Sequence, residues 1–305
     1  MILAKCPLRV SLAGGSTDLE DFIKSNGYGG VISFPSTLYT YITVHKNNTD
    51  KYIVNYSERE EVSYVEDIKN DIAREVLTRF PSPPVTMTFN TDSASQGTGL
   101  ASSSSYTVAA VAAMSKLCGI DLSRFEIIKL ALEIERTFNK HTGYQDPYGC
   151  GLGSFKKLDF YYNRDPKVTY LSSNIFSKID MHLLYTGVVR ESTRMLEKVV
   201  KSDRQGILDV MLLMEESILN NNLTDFINLV NQGWDTKKKS LPQILEGDHL
   251  KSIDDRLTQD SRVLAHRLCG AGNGGYFLIL CDKGYTPDGV ISIDIDKEGV
   301  QAYEI

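Results

Sequence analysis

The chain has 305 residues, 42% apolar and 24% charged, with a net charge of −6. This is ordinary globular composition, too long for one small core, so one large or two intimately joined domains are expected. The negative balance argues against a nucleic-acid footprint. The longest wholly apolar run near the middle, Val108–Met114, is far too short to span a bilayer.

Lys5 and Arg9 interrupt the apolar N-terminal stretch, so no signal peptide is expected. The cysteines (Cys6, Cys118, Cys150, Cys269, Cys281) form no CxxC pair, and the histidines show no metal-ligand spacing. Reduced thiols in a cytoplasm fit this better than a disulfide framework or a zinc site. Leu8, Val10 and Leu12 alternate with Arg9 and Ser11 and predict a strand. Leu38–Val44 and Val85–Phe89, β-branched and aromatic, predict two more. A Gly/Ser stretch, 96–105, leads into an Ala-rich helix ending near Leu117. The apolar spacing within Phe125–Phe138 predicts an amphipathic helix. Helices are expected over 193–201, 207–219 and 225–231, and a strand over Tyr276–Cys281. Strand-rich first and helix-rich second halves predict an α+β protein of two lobes, 1–178 and 179–305.

Three stretches carry chemistry. Gly97-Thr98-Gly99-Leu100-Ala101-Ser102-Ser103-Ser104-Ser105 runs into a helix. Its glycines let backbone approach an anion, and the helix N-terminus points unpaired N–H groups at it. The P-loop lysine is missing, so this phosphate cradle is not a P-loop; the plainer alternative is a serine-rich cap on a buried helix. Pro7 to Asp18 (PLRVSLAGGSTD) is a strand ending in a Gly-Gly turn. Asp18 there is suited to accept bonds from two sugar hydroxyls, or to cap a helix starting near Leu19. Gly270-Ala271-Gly272-Asn273-Gly274-Gly275 puts bare backbone beside a neighbour ahead of a strand.

In this order the three resemble the motifs of the GHMP kinase superfamily, over nearly the whole chain from about Pro7 to Leu280. The resemblance implies a two-lobed α+β fold, with a ribosomal protein S5 domain 2-like N-terminal lobe and a ferredoxin-like C-terminal lobe. It implies ATP and Mg²⁺ as cofactors. Gly97, Gly99, Leu100, Ala101, Ser102, Ser103 and Ser104 would hold the nucleotide, and Ser103 and Glu135 the metal. Asp146 would take the proton from the attacking hydroxyl, with Arg9 beside it. Gly15, Thr17, Asp18, Gln145, Arg190 and Gly272 would meet the acceptor. From periodicity alone, Glu133 and Glu135 read as exposed helix charges, Asp146 before Pro147 as a turn residue, and Arg9 as a surface charge.

The segments Gly143-Tyr144-Gln145-Asp146, Leu184–Arg190 and Trp234-Asp235-Thr236-Lys237 are similar to those of the D-glycero-D-manno-heptose 7-phosphate kinase branch. That branch acts on the anomeric (C1) hydroxyl of a sugar phosphate. Arg190, Arg194 and Lys237–Lys239 are candidates for a second anion site, and Arg267 stands where the branch commonly has Lys. Gly15-Ser16 replaces the Glu-His of galactokinases, which argues against galactose. The alternatives are a GHMP kinase of another free sugar (fucose, arabinose or galactose type), a decarboxylase of the same fold, and a non-catalytic GHMP-fold ligand-binding protein. The partner expected is a small sugar or sugar phosphate; oligomeric state is not legible.

Overall fold

The computed structural model describes residues 1–94, 97–189 and 204–305. Its chain begins with β1 (Ile2–Ala13), α1 (Glu20–Asn26) and the long β2 (Gly29–Lys46). A hairpin, β3 (Tyr52–Asn55) and β4 (Arg59–Val62), precedes α2 (Asp71–Arg79) and β5 (Val85–Thr91). Then come α3 (Ser102–Leu117), α4 (Arg124–Phe138), the short α5 (Gln145–Gly151), β6 (Lys156–Phe160) and β7 (Lys167–Tyr170). From β8 (Ile179–Tyr185) onward follow α6 (Gln205–Leu219), α7 (Leu223–Ser240), α8 (Asp248–Gln259), β9 (Val263–Leu268), β10 (Tyr276–Asp282), β11 (Val290–Ile293) and β12 (Gln301–Glu304).

The first sheet runs β12-β1-β2-β5-β3-β4, with β6 paired to β2 and β7 to β6. β2 is long enough to serve two neighbours, β6 through Gly29–Ser33 and β5 through Thr40–Lys46, while β1 lies along its other edge. The second sheet is antiparallel in the order β11-β8-β10-β9. Counted along the lobe this is 4-1-3-2, the ferredoxin-like order. The strand β12 returns to pair with β1 at Ile2–Lys5.

Both halves mix helix and strand more evenly than composition suggested. The helix expected over 225–231 extends over 223–240 because Asn222 caps its start through the Asp225 N–H and its apolar face continues to Trp234. The helix expected over 193–201 lies outside the described residues. Among the described residues, no helix is long and apolar enough to cross a membrane.

The helix α3 is the hub. Val108 to Met114 are all buried, so it is apolar on every side and packs against β1, β2, α2, α4 and α5. Burying such a helix fixes its polar N-terminus at the rim of the core. A second apolar cluster joins β1 and β2 to α6, α7 and the second sheet, and a third packs Trp234, Ile253 and Phe277 beneath that sheet.

Candidate active site

The three glycine-bearing motifs meet at one cleft of about 860 Å³. One wall is the serine loop. Gly97, Gly99, Ala101, Ser102, Ser103 and Ser104 line the cleft, whereas the side chain of Leu100 is buried in the core. Ala101 is the N-cap of α3, left-handed at φ 62, ψ 42, and provides no side-chain cap. The first N–H groups of α3 therefore present an anion-binding end. Such a conformation costs an alanine about 1–2 kcal/mol.

The loop is held from two sides. The Arg9 N–H donates to Leu100 O at 3.1 Å, and the Tyr276 N–H donates to Thr98 O at 3.1 Å. The glycine-rich turn before β10 thus meets the serine loop itself: a Cβ on Gly275 would come within 2.3 Å of Thr98 O, and one on Gly99 within 2.5 Å of Cys269 O. Gly272 lies against Ile244 (φ +99) and is not among the cleft-lining residues.

Arg9 on β1 is only 4% exposed, not the surface charge that strand alternation allowed. Its Nε and Nη2 donate to Asp146 Oδ1 at 2.8 and 2.6 Å, and its Nη1 donates to Gly99 O at 2.9 Å. One guanidinium thereby couples the carboxylate to the serine loop. Asp146 lies in the first turn of α5 and lines the cleft, its side chain 31% exposed. Both Arg9 bonds fall on Oδ1; among the described residues, none falls on Oδ2.

Eleven residues before Asp146, Glu135 is buried on the inner side of α4, while Glu133 is exposed. The Ser104 hydroxyl donates to Glu135 Oε2. Burial pushes the Glu135 carboxyl up to about 7, with the Ser104 and Ser103 hydroxyls pulling it back. A carboxyl in that state, beside two hydroxyls and an anion-binding helix end, fits a small hard cation bound with a phosphate. Among the described residues, no group of three or more histidine, cysteine or acidic side chains could hold a metal. Further ligands would therefore come from a bound phosphate or water.

The Gly14–Asp18 turn faces Gln145. Asp18 is not the cap of α1, whose N-cap is Leu19. Instead its Oδ2 accepts from the Gln145 N–H at 3.0 Å, at the start of α5, and its Oδ1 from Gln145 Nε2 at 3.1 Å. The Ser11 hydroxyl donates to Gln145 Oε1 at 3.1 Å. Burial, with the Asp146 charge nearby, pushes Asp18 up to about 6. Gly15, Asp18 and Gln145 line the cleft, but Thr17 does not: its hydroxyl is tied to Gly14 O and Gly30 O at 2.8 Å each. Arg190 and Arg194 lie outside the described residues.

Sequence reasoning missed Lys156 and the aromatic lining of the cleft, whereas it named Trp234 and Lys237. Lys156 is fully buried beneath α5, its Nζ donating to Gly149 O, Leu152 O and Ser154 O at 3.2, 2.7 and 3.2 Å. It ties down the C-terminal end of the helix that carries Asp146, and burial pushes its ammonium down to about 7. A partly aromatic end of the cleft is formed by Tyr56, Phe89 and Tyr106, with the Phe89 and Tyr106 rings 5.3 Å apart. Trp234 Nε1 donates to buried Asp254 at 2.7 Å, fixing α7 so that Lys237, one turn on, lines the cleft and donates to Gly270 O. Of the other two lysines, Lys238 pairs with Asp235 and Asp254, and Lys239 is exposed.

Residues 64–154 match the model of the GHMP kinases N terminal domain. The whole chain is 28% identical to a D-glycero-alpha-D-manno-heptose 7-phosphate kinase of Campylobacter jejuni, across 99% of that protein. It also matches 21% of an L-fucokinase/L-fucose-1-P guanylyltransferase of Bacteroides fragilis, 28% identical over 60% of this chain. Among solved structures, a D-glycero-D-manno-heptose 1-phosphate kinase from Bacteroides thetaiotaomicron shares the fold, with a TM-score of 0.76, 20% identity, and coverage of 100% of this chain and 99% of that one. The three ordered motifs, the two-sheet fold and these matches agree: residues 64–154 are a GHMP kinases N terminal domain, and the chain is an ATP-dependent phosphotransferase with an alcohol group as acceptor.

Proposed function

We propose that this chain is an ATP- and Mg²⁺-dependent kinase of the anomeric (C1) hydroxyl of a sugar phosphate, with D-glycero-D-manno-heptose 7-phosphate as its acceptor. The observation that carries this reading is the Arg9 bridge from Asp146 to Gly99 O, which couples a proton-accepting carboxylate to the phosphate-binding loop. Phosphoryl transfer asks a protein mainly for such positioning and for charge neutralisation.

In this reading the serine loop and the N-terminus of α3 wrap the β- and γ-phosphates, and the adenine occupies the end formed by Tyr56, Phe89 and Tyr106. Ser103 and Glu135 hold Mg²⁺, with Ser104 orienting Glu135 through its hydroxyl. The ion would supply charge neutralisation of the phosphates. The sugar lies between the Gly14–Asp18 turn and the start of α5, where Asp18 and Gln145 grip its hydroxyls. Asp146 Oδ2 accepts the proton of the attacking hydroxyl, and Arg9 holds that carboxylate by its Oδ1 and offsets charge developing in transfer. The lobes divide at residues 178–179, with β12 rejoining the first, and the enzyme works in the cytoplasm. Full-length similarity to a heptose 7-phosphate kinase supports the choice of acceptor.

The test is a panel of acceptors with an ADP-release readout: the heptose 7-phosphate, the free heptose, L-fucose, D-arabinose and D-galactose. The phosphorylated heptose is expected to lead the panel by at least tenfold in kcat/KM. L-fucose in the lead would replace the acceptor and support the fucokinase-type alternative; no ADP release with any sugar would overturn the sugar-kinase reading.

A further inference from the structure

The cleft carries a second buried guanidinium that, among the described residues, no carboxylate answers. Arg267, next to last in β9, is 5% exposed and lines the cleft. One of its terminal nitrogens donates to Leu12 O. Its Nε is buried without a hydrogen-bond partner among the described residues, and no carboxylate there lies within ion-pair distance of it. The contrast within the molecule is direct: Arg9 has Asp146, and Arg204 has Asp21. Removing a guanidinium from water without a counter-charge is strongly unfavourable, so buried charges are normally paired or wait for a ligand of opposite sign.

Position narrows the ligand. Arg267 and Lys237 both line a small extension of the cleft whose other lining residues include Ala13, Gly14 and Gly15. This extension adjoins the turn assigned above to the acceptor, and none of the serine-loop residues lines it. A planar fork with a spare N–H suits the oxygens of a phosphate monoester that reaches it from the main cleft, which Arg267 also lines.

We propose that Arg267, assisted by Lys237, binds the phosphate that the acceptor already carries when it enters the cleft. The inference rests on the reading of the chain as a kinase of a phosphorylated sugar, and it places the determinant of that specificity on β9 and α7, within the described residues.

The experiment compares wild type, Arg267→Gln and Arg267→Lys on D-glycero-D-manno-heptose 7-phosphate and on the free heptose, with ATP KM measured alongside. Arg267→Gln is expected to lose about 10- to 100-fold in kcat/KM on the phosphorylated sugar, the usual worth of a charge-assisted hydrogen bond, and far less on the free sugar. Arg267→Lys restores part of the preference, because it keeps the charge and loses the fork. With the unpartnered charge gone, the melting temperature of unliganded Arg267→Gln should match or exceed that of wild type. If that variant does not fold, Arg267→Lys decides, an undiminished preference counting against the site. Two results overturn the assignment while sparing the kinase reading: a wild-type preference that survives in both variants, or equal losses on both sugars with a raised ATP KM, which would give the anion to the nucleotide. A wild type without any preference for the phosphorylated sugar would instead sink the sugar-phosphate reading, and this inference with it.

Discussion

Replacing Asp146 with Asn separates proton acceptance from architecture. Arg9 donates both of its bonds to Asp146 Oδ1, at 2.8 and 2.6 Å. In the amide, the carbonyl oxygen is therefore held at that position by Arg9. The NH₂ then stands where Oδ2 was, a donor in place of the acceptor that faces the cleft. The loss in kcat should be about 10²- to 10⁴-fold, the worth of a positioned general base, or roughly 3–5 kcal/mol in the barrier. Stability should fall far less. The two Arg9 bonds persist with a neutral acceptor, Gly99 O still accepts from Nη1, and the carboxylate was 31% exposed and thus partly screened. A loss of about 1–2 kcal/mol follows. The assay is ADP release at saturating ATP and varied acceptor, paired with urea unfolding. A variant within about fivefold of wild-type kcat would remove Asp146 from the role. A normal kcat with a raised ATP KM would reassign it to nucleotide binding.

Asp18 makes stability depend on pH. Its folded pKa of about 6 lies above the ordinary carboxyl value of 3.8, so the folded state holds the extra proton; the stability this gives is full below about pH 4 and is lost as pH rises through 6. The wild-type-minus-Asp18→Asn difference in urea midpoint should therefore fall between pH 4 and 6, and Asp18→Asn should lose sugar use while keeping ATP use; a flat difference would contradict the buried-acid account. Lys156→Met leaves three carbonyls beneath α5 without their donor and should cost about 3 kcal/mol or more. A lowered kcat is expected with it, and a fully stable, fully active variant would refute the anchoring role. Tyr106→Ala should raise ATP KM about tenfold, with acceptor KM little changed, through loss of aromatic contact worth about 1–1.5 kcal/mol; an unchanged ATP KM would move the adenine elsewhere. Ala101→Gly should be neutral to about 1 kcal/mol stabilising by thermal melt, because relief of left-handed strain outweighs the added chain entropy; a clear loss of stability would show that the cap is unstrained.

What the sequence made legible was local. Strand alternation around Arg9, the alanine-rich run of α3 and the glycine punctuation before β10 each have a short-range physical cause, and the structure contains those elements. Direction across the chain was not legible. Periodicity could not tell Glu135 from Glu133, because the difference is which side of α4 meets α3. Asp18 sits next to a helix in sequence yet serves a different helix, α5, some 127 residues away. The third motif signalled close backbone contact, but not that its neighbour is the serine loop or that Gly272 abuts Ile244. Lys156 gave no signal, since a buried lysine and a surface lysine are the same letter, and Arg267 stood out only as a departure from the branch's Lys; only the fold reveals three carbonyls under one and, among the described residues, no counter-ion beside the other.

The most direct measurement is ³¹P NMR of the product made by the purified enzyme from ATP, Mg²⁺ and D-glycero-D-manno-heptose 7-phosphate. The account predicts a second sugar phosphate resonance coupled to the anomeric proton, growing in step with ADP and absent with Asp146→Asn. New phosphate coupled to any other position, or ADP formed without a new sugar phosphate, would contradict it.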